Sequence, residues 1–238
     1  MKYIIASDFH LKYFENKEDK IRRQKIETFL KIQIGKIDGL ILAGDIFDFW
    51  IEWNHTIIKN YFDILHIFKL LKEAGCRIIF LPGNHDFWIA SFLKEMIGFE
   101  IYPVAFSDVI NEKKVYISHG DRYTTNDARY HFFRNIIRQP AFHNFARILP
   151  STITLTIGDM ISRTNNRIKS EKLTKSQEIG LWNKAVELSK DYDLIIFGHS
   201  HIPRKIEISE SIYINCGDWM KSYSYCYFDE EKIELKYF

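Results

Sequence analysis

Gly39-Leu40-Ile41-Leu42-Ala43-Gly44-Asp45 is an apolar run that stops at a glycine and then presents a carboxylate. The pattern recurs along the chain. Tyr3-Ile4-Ile5-Ala6 leads to Asp8-Phe9-His10, Arg77 to Leu81 leads to Gly83-Asn84-His85-Asp86, Val115 to Ser118 leads to His119-Gly120-Asp121, and Leu194 to Phe197 leads to Gly198-His199-Ser200-His201. Short runs of β-formers bounded by Gly or Pro predict strands buried on both faces. Helical patterns separate the first three runs, over Arg22 to Ile34 and over Thr56 to Ala74, the second closed by Gly75 as a cap. The reading is a β-α-β-α-β opening and an α/β fold. Side chains inside such strands are packed. Those just past the C-terminal ends point into a crevice, where open α/β sheets hold ligands.

Later in the chain the pattern changes. Asn111-Glu112-Lys113-Lys114 reads as a turn joining Asp108-Ile110 to Val115-Ser118, and Asp229 to Lys232 reads as a turn between Tyr223 to Phe228 and Ile233 to Phe238. These antiparallel pairs predict two sheets packed together with helices outside. From about residue 123 to 178 the strand rhythm lapses. That segment reads as a helical insertion between His119 and His199, within a single domain over 1–238.

Every strand-end signature supplies Asp, Asn or His, and none supplies Cys. Asp8-x-His10 and His199-x-His201 each read as two side chains on one side of an extended segment. Asp45 is placed to bridge two cations, Asn84 offers a neutral carbonyl oxygen, and His119 offers a ring nitrogen. Mixed imidazole and carboxylate donors suit manganese, iron or zinc rather than calcium. Two such metals about 3.5–4 Å apart clamp a phosphoryl group and supply hydroxide at neutral pH for in-line attack on phosphorus. They also stabilise charge on the equatorial oxygens. No P-loop or kinase set is present, so hydrolysis is expected rather than transfer from ATP.

The set Asp8-x-His10, Gly44-Asp45-x-x-Asp48, Gly83-Asn84-His85-Asp86, His119 and Gly198-His199-x-His201 resembles the calcineurin-like metallophosphoesterase family, with motifs over most of the chain in the family's order. The resemblance implies a four-layer α/β/β/α sandwich. It assigns Asp8, His10, Asp45 and His201 to one metal and Asp45, Asn84, His119 and His199 to a second. Asp48 and Asp86 would orient ligands or His85, or else cap loops.

Finer features are similar to the UDP-2,3-diacylglucosamine hydrolases: the aromatic run Phe47 to Ile51, the stretch His119 to Arg134, and Cys216-Gly217-Asp218-Trp219. This resemblance implies cleavage of a lipid-linked UDP-sugar diphosphate to UMP and 2,3-diacylglucosamine 1-phosphate in lipid A biosynthesis. It also implies two Mn2+ ions and a peripheral position on the cytoplasmic face of the inner membrane. His85, as in the wider family, and Asp45 are expected to be catalytic, and Asn84, His85, Asp127, Arg134, Asn165, Lys169 and His199 to contact substrate, Asp127 and Arg134 by match to the hydrolase pattern. Those enzymes carry Arg where this chain has His85. An imidazole can act as a general acid on the leaving phosphate or bind it as a cation, whereas Arg only clamps. The alternative on the same scaffold is a hydrolase of a nucleotide, phosphodiester or other soluble phosphate. A non-enzymatic metal-bound scaffold fits less well, because every expected ligand is present.

The insertion carries Arg129, Arg134, Arg138 and Arg147 in its first half and Arg163, Arg167, Lys169, Lys172 and Lys175 in its second, against few acids, with apolar residues such as Phe132, Phe145 and Ile157 among them. A basic, apolar lid suits a diphosphate with acyl chains at an anionic surface; the alternative is a hairpin packed on its own apolar face with solvated bases outside. Over the whole chain the net charge is only +2, which speaks against a nucleic-acid partner. Three scattered cysteines without a CxxC pair speak against a thiolate zinc site and a disulfide framework, and fit free thiols in a reducing compartment. Met1 to Asp8 leaves no room for a signal peptide and no apolar stretch is long enough to span a bilayer, so a cytoplasmic location is expected.

Overall fold

The runs read as strands are β1 (Tyr3–Ala6), β2 (Gly39–Leu42) and β3 (Arg77–Phe80), which pair in parallel with each other and with the short β4 (Glu100–Ile101). The computed structural model describes residues 1–53, 55–89, 91–124, 139–168 and 171–238. A second sheet holds β5 (Phe106–Ile110), β6 (Lys113–Ile117), β7 (Leu194–Phe197), β8 (Arg204–Ile208) and β9 (Ser211–Asn215). The C-terminal hairpin of β10 (Ser224–Phe228) and β11 (Ile233–Tyr237) returns to the first sheet. The strand orders are β11-β10-β1-β2-β3-β4 and β5-β6-β7-β9-β8.

Alternation of side chains along each strand builds the layers. Ile5, Ile41 and Ile79 of the first sheet meet Val115, Ile117, Leu194, Ile196 and Ile214 of the second in one buried cluster. Their neighbours Ile4, Leu40, Leu42, Ile78 and Phe80 point the other way. There they pack under α1 (Lys17–Lys31) and α2 (Phe62–Glu73), through Phe29, Leu30, Phe68 and Leu71. Beneath the second sheet, Ile195, Phe197 and Tyr213 pack on Leu181, Ala185 and Leu188 of α5 (Glu171–Leu188). Burial of a Leu, Ile or Phe side chain contributes about 1.5–3 kcal/mol, so two-faced strands suit this stack of helix, sheet, sheet and helix. The fold is the expected α/β/β/α sandwich.

Helix starts differ from the sequence reading. The first helix begins at Lys17 rather than near Arg22, because Asn16 and Asp19 form a reciprocal capping box. Charged residues fill that first turn, so apolar periodicity does not reveal it. Ahead of α2, Thr56 to Ile58 is not helical and Lys59–Tyr61 forms a 3-10 turn.

Two further helices, α3 (Pro140–Ile148) and α4 (Ser151–Ile168), precede α5 in the predicted insertion, and the helix carrying Glu178 continues to Leu188. Ala146 is buried against Ile51 and Trp88, His143 stacks on Trp88, and the Tyr13 hydroxyl donates to the Leu155 carbonyl at 2.6 Å. The insertion therefore sits on segments that leave β1, β2 and β3. Among the described residues, no helix is long and apolar enough to cross a membrane. Cys76, Cys216 and Cys226 are buried free thiols.

Candidate metal centre

The segments leaving β1 and β2 run side by side. Asp8 N–H donates to Gly44 O, His10 N–H to Asp45 O and Leu11 N–H to Ile46 O, at 2.9–3.0 Å. Asp8, His10, Asp45, His199 and His201 all adopt positive φ, between 45° and 68°. Left-handed backbone is costly for residues with a Cβ and gathers at functional sites. It also corrects the sequence argument: Asp8 and His10 converge through left-handed turns beyond the strand end, not through strand alternation. The same holds for His199 and His201.

The ligand atoms fall into groups that share Asp45. In one, His201 Nε2 lies 3.2 Å and His10 Nε2 3.7 Å from Asp8 Oδ1, and His10 Nε2 is 3.8 Å from Asp45 Oδ2. In the other, His119 Nε2 lies 3.3 Å from Asp45 Oδ2, 3.2 Å from Asn84 Oδ1 and 3.3 Å from His199 Nδ1. Asp8, His10 and His201, and separately Asp45, His119 and His199, bring their donor atoms close enough to hold an ion. The donor set fits divalent cations of the manganese, iron or zinc type. Asp8 Oδ1 and His10 Nε2 are buried without a hydrogen-bond partner, as atoms reserved for a ligand would be.

Charge within the cluster is strongly linked. Burial opposes ionisation of Asp8, but His201, His10 and His119 hold its carboxyl well below the usual range. Asp45 is likewise held low against burial by His119, His85 and His10. Burial opposes a cationic His10, yet Asp48, Asp8 and Asp45 lift it to about 9. Against the same burial, Asp45, Asp8 and Asp121 lift His119 to about 10. Protons on these rings balance the carboxylates, and bound cations would displace them.

Three imidazoles set Nδ1 against an oxygen and turn Nε2 inward. His10 Nδ1 faces Asp48 Oδ1 at 3.6 Å, His119 Nδ1 faces the Ala43 carbonyl at 2.9 Å, and His201 Nδ1 faces Asp218 Oδ2 at 3.5 Å. Such partners fix ring orientation and tautomer around metals. Asp218 has no assigned role in the sequence reading. Its signal is that β9 runs parallel to β7, so the loop after β9 also opens at the site. Burial disfavours its charge, but His201 and the amides of Ser222 and Lys221 bring it to about 2. Trp219, next in sequence, is fully buried core against Phe9 and Phe29.

Asp86 accepts backbone amides from Gly83 and Asp45 on Oδ1 and from Ile46 and Phe47 on Oδ2. It ties the β3 loop to the Asp45 loop, and burial beside Asp45 pushes its carboxyl up to about 7. The His85 amide donates to Asp45 Oδ1 at 2.8 Å, and His85 Nδ1 lies 3.1 Å from the Asp48 carbonyl. Burial lowers the His85 pKa. A Cβ at Gly83 would collide with the Asp45 carboxylate and amide, so only glycine fits there.

The aromatic run after Asp45 divides. Phe47, Trp50 and Ile51 are core residues, whereas Phe49 and Trp53 pack partly buried beside Trp88 and the insertion. Asp127, Arg134 and Lys169 lie outside the described residues, as does the side chain of Asn165. Of the insertion's bases named above, only Arg147 has a described side chain.

Residues 1–203 match the family described as calcineurin-like phosphoesterase. UDP-2,3-diacylglucosamine hydrolase of Haemophilus influenzae is 28% identical over 82% of this chain and 83% of its own length. The enzyme of the same name from Vibrio atlanticus is 29% identical over 99% of this chain and 97% of its own, and that from Porphyromonas gingivalis 22% identical over 99% and 97%. A solved archaeal phosphodiesterase superposes with TM-score 0.51 at 18% identity, covering 100% of this chain and 99% of its own, and so shares the fold. With the ligand motifs converging on one buried carboxylate inside the matched region, the chain belongs to the calcineurin-like phosphoesterase family and is a metal-dependent phosphoesterase.

Proposed function

We propose that this centre binds two divalent cations, Mn2+ foremost, and that the protein hydrolyses the diphosphate of UDP-2,3-diacylglucosamine to UMP and 2,3-diacylglucosamine 1-phosphate. The observation that carries the metal reading is the inward turn of three imidazoles toward Asp8 and Asp45. Asp8, His10, Asp45 and His201 would hold one ion, and Asp45, Asn84, His119 and His199 the other. When bound, such cations polarise phosphate oxygens and acidify adjacent water. The chain's own groups hold the arrangement: Asp48 and Asp218 aim His10 and His201, and Asp86 ties the Asp45 loop to that of Asn84. On this reading His85, whose Nδ1 lies beside the Asp48 carbonyl, would meet a substrate phosphate.

The substrate choice draws on relatives of that name aligned along most of the chain. It also draws on the insertion, whose exposed apolar residues Phe145, Ile148, Ile153, Ile157 and Met160 suit acyl chains or a bilayer surface. On this reading the chain is one domain over 1–238 with a lid at about 123–178, works at the cytoplasmic face of the inner membrane, and contacts substrate through Asn84, His85, Asp127, Arg134, Asn165, Lys169 and His199.

The test is incubation of purified protein with Mn2+ and the lipid substrate in mixed micelles. UMP release is expected, and Asp45→Ala should abolish it. Absence of UMP together with ready turnover of a soluble phosphodiester would move the assignment to a soluble phosphate substrate. Activity of Asp45→Ala equal to wild type would remove Asp45 from its shared position.

A further inference from the structure

Arg22 lies in the second turn of α1 with its side chain mostly buried. Its Nη2 donates to the His10 carbonyl at 3.0 Å and to Asp19 Oδ1 at 2.8 Å. Asp19 is held in turn, since its Oδ2 accepts from the Asn16 amide and its own amide donates to Asn16 Oδ1. One guanidinium therefore ties a rigid helix start to the backbone of a residue in the first ligand group.

His10 needs such a tie. Its φ of 45° is disfavoured for a residue with a Cβ and persists only where the surroundings impose it. The His10 amide is held by Asp45 O at 2.9 Å, and its carbonyl by Arg22. Arg22 Nε is buried without a hydrogen-bond partner. An unsatisfied buried donor is unfavourable, so packing alone does not account for arginine here.

We propose that Arg22 is a positioning residue for the metal centre. By fixing the His10 carbonyl it holds the left-handed peptide that aims His10 Nε2 at Asp8 and Asp45. It acts through His10 and touches neither metal nor substrate. The inference rests on the metal reading above.

The test is a Mn2+ titration of wild type, Arg22→Ala and Arg22→Lys, read by loss of the free-ion electron paramagnetic resonance signal. Melting of the metal-free chains is recorded alongside. Arg22→Ala is expected to weaken one of the two ions by about tenfold or more, and to leave the other within about twofold, as loss of an outer support does. Arg22→Lys keeps the charge without the planar fork and should fall between. Guanidinium ion added at millimolar concentration should partly restore uptake by Arg22→Ala. Two ions bound by wild type and by both variants with equal affinity would overturn the role of Arg22. So would a loss that merely follows the metal-free melting temperature, is equal in both variants and is not rescued by guanidinium, since lost packing produces that result. If Arg22→Ala does not fold, Arg22→Lys against wild type decides on the same criteria. A wild-type chain that takes up no Mn2+ would overturn the metal reading, and this inference with it.

Discussion

Individual residues carry the chemistry through constraints that can be probed singly. Asp218 touches His201 at Nδ1, opposite the nitrogen facing Asp8. Asp218→Asn keeps size but offers a neutral partner, so it should cost about 10–100-fold in metal affinity or activity. A Mn2+ titration and kcat measured at saturating metal check this, and an unchanged affinity would make Asp218 a loop-holding group only. Gly83 is a constraint of space. Gly83→Ala drives a methyl into Asp45, and overpacking of this kind costs about 1–3 kcal/mol. Chemical denaturation should show that loss together with a fall in kcat, because the displaced group is the shared carboxylate. These two residues also show how far a sequence can be read. Gly83 stands beside an obvious ligand motif. Asp218 becomes meaningful only when β9 is found parallel to β7.

At the scale of elements, α1 is more than a cover for the first sheet. Its capping box fixes Asn16 and Asp19, and Asp19 holds Arg22 against the His10 carbonyl. Loss of an N-cap typically costs about 1 kcal/mol. Asn16→Ala should therefore lower Tm by roughly 2–4 °C in a chain of this size. Differential scanning calorimetry checks the figure, and a shift below half a degree would mean the cap adds nothing. The left-handed turns after β1 and β7 are likewise properties of an element. Alternating apolar residues announce each strand, but the backbone geometry just past its end follows from contacts with the neighbouring loop. This is why the Asp8-x-His10 pair was legible while its mode of convergence was not.

For the whole molecule, the centre straddles the ends of two sheets: β1, β2 and β3 contribute from the first, and β6, β7 and β9 from the second. Ions bound between them should bind the folded chain and not the unfolded one. Saturation of each site a hundredfold above its Kd would then add roughly 2.7 kcal/mol, about 5.4 kcal/mol for the two. Stripping both ions with a chelator should lower Tm by about 11–22 °C at that saturation. Scanning calorimetry of the metal-free chain, with Mn2+ added back, measures it. An identical Tm in both states would show that no ion bridges the sheets. The insertion belongs to this scale too. Tyr13, leading from His10, and Trp88, following Asn84, both support it, so its seat depends on the metal loops.

The sequence by itself determined the reaction class and the layers. Five apolar runs ending in Asp, Asn or His name strands and donors together, because burial demands the first and metal chemistry the second. Tertiary structure alone decided which nitrogen of each imidazole faces inward, and that Asp218 and Arg22 stand behind His201 and His10. The physical reason is distance along the chain. Asp8 and His199 are 191 residues apart and yet joined by a hydrogen bond of 3.0 Å. Such contacts arise from the packing of two sheets, which no local pattern of residues encodes.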